Sequence, residues 1–342
     1  MILFLLVYLS IYGGIHLYAF LKLKKGLSLG FPAYLILALF MILMVAAPIF
    51  VRIFERYDYE ALARGLAYIG FIWMGLLFIF ISASFFFDIY RLIHFLASML
   101  TSSPLTSFVL SPRNLCISAI LFSFFVVIYG YFEAINIRTE YVTVKTDKIP
   151  EEIGQLRIVQ ISDVHLGLIV NKSRLKRILK QVRDESPDIL VSTGDLVDGQ
   201  MDKLETLTEM FQSIPTKYGK FAITGNHEFY AGLDRALKFT EEAGFTILRG
   251  EGITVSNILN IAGVDDPARG PYGPDHLVSE KALLEKLPRE RFTLFLKHQP
   301  VISGESVGMF DLQLSGHTHK GQIFPFSLVT KLYYGTHTGL SK

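Results

Sequence analysis

The sequence predicts an α/β domain that is preceded by four transmembrane helices. Of its 342 residues, 51% are apolar, and this excess is concentrated before about Glu133. From Tyr141 onward, short apolar segments alternate with amphipathic ones, which is typical of the strands and helices of an α/β layered domain. We therefore divide the chain into a membrane domain, residues 1–138, and a globular domain, residues 139–342.

Four apolar segments in the first part are each long enough to cross a bilayer, which takes about 20 residues. They cover residues 2–21, 31–54, 63–87 and 115–132. The first is followed by Lys22, Lys24 and Lys25, whereas a cleaved signal peptide carries its positive charge in front of the apolar run. We therefore expect a retained helix here and an integral membrane protein.

The charges between these segments do not determine the orientation of the helices. The two sides carry five and six lysine or arginine residues, so the positive-inside rule cannot choose between them. The lysine cluster after the first segment favours an N-terminus outside, and four spans would then place the C-terminal domain outside as well. Asp88 and Arg91 either bind a lipid headgroup or a neighbouring helix, or lie at the interface with their charges in water.

The second part of the chain predicts short strands separated by helices. Residues 171–186, for example, carry apolar residues at helical spacing and end before Pro187. The predicted strands are 156–161, 189–192, 220–224, 245–248, 253–255, 258–262, 292–296 and 312–314, and the predicted helices are 171–186, 202–212, 232–243 and 278–286. Such alternation places helices against the faces of a sheet.

Five polar motifs each directly follow a predicted strand. They are Ser162-Asp163-Val164-His165, Gly194-Asp195-Leu196-Val197-Asp198, Gly225-Asn226-His227-Glu228, Lys297-His298-Gln299-Pro300 and Gly316-His317-Thr318-His319. Ligands of open α/β sheets bind beyond the carboxyl ends of the strands, so we expect these five loops to share one rim. Asp195 is central, because a carboxylate at the end of a buried strand needs a cation beside it and Gly194 permits close approach of a ligand.

The residue types in these motifs indicate divalent metal ions. Mixed sets of Asp, Asn and His suit metals that activate water, and five of the nine histidines lie in the motifs. The single cysteine, Cys116, lies in an apolar segment, which argues against a zinc site built from thiolates. The net charge is +2 and the sequence has no basic stripe with interleaved aromatic residues, so we expect no nucleic-acid partner.

Each motif alone is weak evidence, but the ordered set Asp-x-His, Gly-Asp-x-x-Asp, Gly-Asn-His-Glu, His and Gly-His-x-His resembles the calcineurin-like metallophosphoesterase superfamily. Longer segments, such as Thr193-Gly194-Asp195-Leu196-Val197-Asp198-Gly199, resemble its bacterial membrane-associated branch. The resemblance covers residues 156–339 and leaves out the four apolar segments. It implies a two-sheet β-sandwich flanked by helices.

The resemblance also implies two divalent metal ions, either Mn, Fe, Zn or Mg, with one bridging carboxylate. One ion would be bound by Asp163, His165, Asp195 and His319, and the other by Asp195, Asn226, His298 and His317. A bridging hydroxide would attack phosphorus, His227 would protonate the leaving oxygen, and Glu228 would orient His227. Asp198 would either support a metal-binding histidine or be a turn residue, and Asp265-Asp266-Pro267 is interpreted as a turn.

We therefore expect a membrane-anchored phosphohydrolase of the bacterial cytoplasmic membrane that cleaves a phosphodiester or a pyrophosphate. Because the spans would hold the site near the bilayer, a lipid-linked phosphate or a nucleotide-diphosphate lipid is the expected substrate. The alternative is a non-catalytic membrane scaffold or sensor with a metal-binding phosphoesterase-like domain. Members of the superfamily usually continue beyond Tyr334 with strands of the second sheet, so we also expect a truncated C-terminal part and an exposed sheet edge.

Overall fold

The computed structural model describes residues 2–100, 110–199, 205–267, 278–322, 326–335 and 338–341. The chain divides into two compact units, Met1–Asn136 and Ile137–Lys342. The described part of the first unit is helical, whereas the second contains both strands and helices.

Four long helices form the first unit. They are α1 (Ile2–Gly26), α2 (Phe31–Arg56), α3 (Glu60–Leu100) and α4 (Pro112–Ile135). All four are long and apolar enough to cross a membrane by length and composition. Helix α3 has 41 residues and so is about 60 Å long, twice the hydrocarbon thickness of a bilayer. It extends beyond the apolar segment predicted at 63–87, because residues 88–100 contain neither glycine nor proline and continue the helix.

Small residues and one buried histidine hold these helices together. Ala19, Ala63 and Ala119 are fully buried, and small side chains let helix backbones approach closely in an apolar environment. His16 of α1 is also buried; its Nδ1 donates to the carbonyl oxygen of Tyr12, and its Nε2 accepts a hydrogen bond of 2.9 Å from the indole of Trp73. This pair joins α1 to α3.

Two four-stranded sheets form the second unit. The first contains β1 (Ile158–Ile161), β2 (Ile189–Ser192), β3 (Lys220–Ala222) and β4 (Thr246–Ile247), in that order and all parallel. The second contains β5 (Glu251–Val255), β6 (Leu259–Gly263), β7 (Phe292–Leu296) and β8 (Leu312–Leu314), with β5 antiparallel to β6 and the other pairs parallel. Strand β8 is an edge strand within the described residues.

The helices of this unit lie at the sheets and at the rim. They are α5 (Lys172–Asp184), α6 (Glu205–Gln212), α7 (Asn226–Ala231), α8 (Leu233–Glu242), α9 (Glu280–Leu284) and α10 (Phe326–Tyr334). The predicted helix at 232–243 is α8, and Gly232, with a φ of 98°, separates it from the short helix α7 that precedes it. Helices α7 and α10 were not predicted, and residues 202–204 of the predicted helix 202–212 lie outside the described residues.

Three apolar layers show why the sheets form a sandwich. Alternate residues of β2 point to opposite faces: Leu190 packs with α5, α6 and α8, whereas Ile189 and Val191 pack with β6 and β7. The far face of the second sheet packs Phe295 against Leu284 of α9. The two-sheet sandwich flanked by helices, after four long apolar helices, is therefore confirmed.

Candidate metal centre

The carboxyl ends of the parallel strands bring the polar motifs to one rim. Ile161 of β1 pairs with Ser192 of β2, and Ser192 pairs with Ala222 of β3, so the loops that follow start at the same level. Three groups of possible metal ligands lie there, each with atoms within 4.8 Å of one another: Asp163, His165 and His319; His165, Asp195 and His227; Asp195, His298 and His317. The five motifs thus share one rim in the structure.

The first group surrounds the end of β1. His319 Nε2 lies 3.3 Å from Asp163 Oδ1 and 3.2 Å from His165 Nε2. One carboxylate oxygen and two imidazole nitrogens therefore converge on a single point. Three such donors are the usual number that a catalytic metal ion takes from protein.

The second group surrounds the carboxylate of Asp195. His298 Nε2 lies 3.2 Å from Asp195 Oδ2 and 3.2 Å from His317 Nδ1. The other ring nitrogen of His298 donates to the carbonyl oxygen of Thr193 at 2.7 Å, which orients the ring so that Nε2 faces Asp195 and, once deprotonated, can bind a metal ion. Asp195 Oδ2 also lies 3.8 Å from His165 Nε2 of the first group, so this carboxylate can serve both.

Asn226, the remaining predicted ligand, tests whether the rim fits metal ions. Asn226 is buried, and its side-chain oxygen has no hydrogen-bond partner among the described residues. A buried carbonyl oxygen without a partner costs about 1–3 kcal/mol, which a bound cation would remove. The donor set of carboxylate, amide and imidazole is also the set expected for divalent ions, so the residues fit them.

The backbone is strained at most of these candidate ligands. Five of them lie in the left-handed region although none is glycine: Asp163 (φ 53°), His165 (φ 52°), Asp195 (φ 52°), His317 (φ 69°) and His319 (φ 47°). Each such residue costs about 1–2 kcal/mol. Strain of this kind persists where the surrounding structure imposes it, and it clusters at functional sites.

Two glycines lie so close to the carboxylates of Asp195 and Asp163 that no larger residue would fit. A Cβ atom on Gly225 would lie 2.2 Å from Asp195 Oδ1, and one on Gly316 would lie 2.3 Å from Asp163 Oδ2. Both distances are far inside van der Waals contact. The glycines of the Gly-Asn-His-Glu and Gly-His-x-His motifs are therefore required by close packing against the two acidic side chains.

His227 has a different carboxylate partner from the one expected. Its Nδ1 lies 2.9 Å from Asp198 Oδ1, whereas the hydrogen bonds that the structure shows to Glu228 come from backbone N–H groups. The expectation that Glu228 orients His227 is corrected accordingly, and Asp198 takes that place. The hydrogen bond to Asp198 raises the pKa of His227 against the opposing effect of burial.

Glu228 instead joins two loops. It lies in the first turn of α7 and folds back onto the start of the helix, where it accepts from the N–H of Gly225 at 2.7 Å. It also accepts from the N–H groups of Asp195 at 2.9 Å and Leu196 at 2.7 Å. Burial raises the pKa of this carboxyl, and the backbone N–H groups oppose that effect. Glu228 thereby holds the loop after β2 against the loop after β3.

The electrostatics of the rim favour metal-binding protonation states for several groups. Burial alone would raise the pKa of Asp163, but hydrogen bonds from His319 and Ser162 lower it to about 2. Burial lowers the pKa of His165 and of His317, which favours the neutral imidazole that binds a metal. His298 differs: burial would lower its pKa, but the adjacent Asp195 raises it to about 9.

Sequence reasoning missed two residues near the rim. Asp266, interpreted as part of a turn, is 1% exposed and accepts hydrogen bonds of 3.1 and 3.0 Å from Gln299, next to His298. The ring of Tyr334 on α10 lies edge-on to His317, with centroids 5.8 Å apart. Neither had a local signal, because Asp-Asp-Pro is ordinary turn chemistry and Tyr334 follows an apolar run.

Comparisons with known proteins agree with this geometry. A family model for the calcineurin-like phosphoesterase matches residues 156–321. An uncharacterized metallophosphoesterase of Aquifex aeolicus is 38% identical over 215 residues, which are 63% of this chain and 82% of the relative. The uncharacterized metallophosphoesterase YkuE of Bacillus subtilis is 31% identical over 211 residues, which are 58% of this chain and 71% of the relative.

The name of a vertebrate relative also describes a transmembrane protein. The transmembrane protein with metallophosphoesterase domain of Danio rerio is 32% identical over 202 residues, which are 56% of this chain and 46% of the relative. Together with four helices long and apolar enough to cross a membrane, this relative suggests a membrane protein. The identity and coverage of the Aquifex aeolicus relative, with the family match over the rim, show that the chain belongs to the calcineurin-like phosphoesterase family.

Proposed function

We propose that this protein is a membrane-anchored hydrolase that uses two divalent metal ions to cleave a phosphodiester or a pyrophosphate. The observation that carries the proposal is the position of Asp195 between two groups of ligand atoms, one with His165 and one with His298 and His317. Such a carboxylate can bridge two cations. The metal ligands would be Asp163, His165, Asp195, Asn226, His298, His317 and His319.

Two divalent cations held there would stabilise charge on the attacking and leaving oxygens of an in-line displacement and would acidify the attacking water. The protein residues supply the remaining steps. His227, with its pKa raised by Asp198, donates a proton to the leaving oxygen. The centroids of the His227 and His165 rings lie 4.4 Å apart, which supports a role for His227 beside the proposed metal site.

The substrate class follows from the helical unit. Four apolar helices on the same chain would keep the enzyme at a bilayer, so a lipid-linked phosphate or a nucleotide-diphosphate lipid suits it. The lysine cluster at the end of α1 supports an orientation with the N-terminus and the C-terminal unit outside the cytoplasmic membrane of a bacterium. Protease digestion of the C-terminal unit in intact cells tests that orientation.

The purified full-length protein, loaded with Mn²⁺, tests the activity on bis(p-nitrophenyl) phosphate and on a nucleotide-diphosphate lipid. We expect Asp195→Asn to abolish hydrolysis, because a neutral amide cannot bridge two cations as a carboxylate does. Asp184→Asn is the matched control, since Asp184 is a half-exposed residue of α5 that pairs with Lys180. Equal activity of Asp195→Asn and the wild type would refute the metal assignment. Metal binding without turnover of any phosphoester would favour a non-catalytic scaffold or sensor.

A further inference from the structure

A second polar site lies inside the helical unit. A cavity of about 260 Å³ opens among α1, α3 and α4, and it shares no residue with the metal centre. Three cationic side chains and one acidic side chain line it, namely Lys22, Lys25, Arg91 and Asp88. A pocket with this much charge between apolar helices needs a physical reason, because charged groups are costly there.

The cavity lies at the level where a membrane interface is expected. Helix α1 ends at Gly26 and α4 begins at Pro112, and both residues line the cavity. On α3, Ser84 lies about 36 Å from Glu60 along the helix axis, which is about one hydrocarbon thickness. The cavity therefore lies at one end of the apolar spans, where lipid headgroups are found.

Close packing shapes this end of the unit. Gly26 of α1 faces Cys116 of α4 so closely that an added Cβ atom would lie 2.3 Å from the cysteine Cβ. Both residues are buried. The wall between α1 and α4 is thus formed by packed backbone and small side chains.

Asp88 already has its partners. It accepts hydrogen bonds from Lys22 and, at 2.8 Å, from the hydroxyl of Tyr18, both on α1. Of the two interpretations offered for Asp88, a link to a neighbouring helix is the one that the structure shows. Asp88 supplies one negative charge against three cations, so the lining of the cavity keeps a net positive charge.

Lys25 and Arg91 therefore leave an excess of positive charge. Neither forms an ion pair within the part of the chain that the structure describes, and both face the same cavity. A guanidinium group binds two phosphate oxygens in a fixed geometry, and an ammonium group adds a point charge beside it. The N-terminus of α4 and the C-terminus of α1 both lie at the cavity, so their opposite helix dipoles offset each other and the side chains carry the excess charge.

The remaining walls indicate what kind of phosphate would fit. Leu21, Phe87 and Leu115 line the cavity beside the charged groups. A ligand with a phosphate and an apolar tail would contact both surfaces. We propose that the cavity binds the phosphate group of an anionic membrane lipid, separately from the substrate of the metal centre.

The test is retention of lipid by the full-length protein in detergent. The protein is incubated with phosphatidylglycerol or with phosphatidylcholine, and bound lipid is counted by native mass spectrometry. We expect Lys25→Gln combined with Arg91→Gln to weaken phosphatidylglycerol binding about 30-fold, the factor expected for two cations facing an anionic lipid. The swap Lys25→Arg with Arg91→Lys should retain binding, which separates loss of charge from loss of folding.

Lys24→Gln is the matched control, because it removes one charge from the same helix end while Lys24 lies over the ring of Tyr34 and does not line the cavity. It should bind phosphatidylglycerol almost as the wild type does. A separate experiment uses soluble glycerol 1-phosphate in place of the lipid. If glycerol 1-phosphate binds and the same double variant weakens its binding, the cavity is a phosphate site for a soluble ligand. Equal loss in Lys24→Gln and in the double variant, or no preference over phosphatidylcholine, would overturn the proposal.

Discussion

Replacing Glu228 with glutamine separates two roles that this residue could have at the rim. If Glu228 oriented His227, the variant would change the chemistry and leave the stability unchanged. In the structure its carboxylate instead accepts from the backbone N–H groups of Gly225, Asp195 and Leu196. We therefore expect Glu228→Gln to destabilise the fold of the second unit.

The size of the effect follows from the hydrogen bonds. One carboxylate oxygen, Oε2, accepts from Gly225 and from Asp195, and the other, Oε1, accepts from Leu196 and, at 3.3 Å, from Val197. A glutamine keeps one acceptor and turns an NH₂ group toward the donors at the other position. Two buried N–H groups left without an acceptor at about 1–3 kcal/mol each give a loss of about 2–6 kcal/mol.

Thermal unfolding of the metal-free, full-length protein measures this loss. For a unit of this size, about 2–6 kcal/mol corresponds to a decrease in the unfolding midpoint of about 4–24 °C. Asp198→Asn is the comparison variant, because Asp198 contacts His227 from a half-exposed position. It should decrease kcat and leave the midpoint within about 2 °C. The reasoning is refuted if Glu228→Gln unfolds with the wild type while Asp198→Asn is the unstable variant.

Two further predictions concern histidines of the rim. We expect His227→Gln to decrease kcat about 10²–10⁴-fold on an alkyl phosphodiester but much less on a p-nitrophenyl ester, because p-nitrophenolate leaves without a proton. Equal losses of kcat on both substrates, measured with unchanged metal content, would contradict the role of His227 as an acid. We also expect metal binding at pH 7 to release about one proton from His298, because its pKa in the metal-free protein is about 9 and only the neutral imidazole binds a metal. Metal affinity should then increase as the pH rises toward 9. Titration calorimetry in two buffers of different ionisation enthalpy measures the released proton. Binding heats that do not depend on the buffer would contradict proton release from His298.

The shared rim could be predicted from sequence because it follows from strand direction. Each motif comes directly after an apolar segment, and parallel strands end at one edge of their sheet. The strand 292–296 and the strand 312–314 were predicted with the same bounds that the structure shows. These short segments are buried or half-buried in the structure, and their composition leaves little choice of secondary structure.

The partner of His227 could not be predicted in the same way. It depends on whether Gly225-Asn226-His227-Glu228 is a loop or the start of a helix, and α7 has only six residues. A helix this short is determined by tertiary contacts, here the backbone N–H groups that Glu228 accepts from, and local propensity does not show it. The left-handed backbone at five ligands is likewise invisible in sequence, because aspartate and histidine adopt it only where the fold imposes it.

These local features together show which protein contacts hold the rim. The loop after β2 is its centre: the N–H groups of Asp163 and His165 donate to the carbonyl oxygens of Gly194 and Asp195, at 3.1 and 2.9 Å. Glu228 ties the same loop to the loop after β3, and His298 ties it to the loop after β7 through Thr193. Because every one of these bonds uses protein atoms, the strain at the ligands is offset by the fold itself. The proposed ligands are therefore held by contacts of the protein itself, and these contacts would lower the cost of ordering the loops when a cation binds.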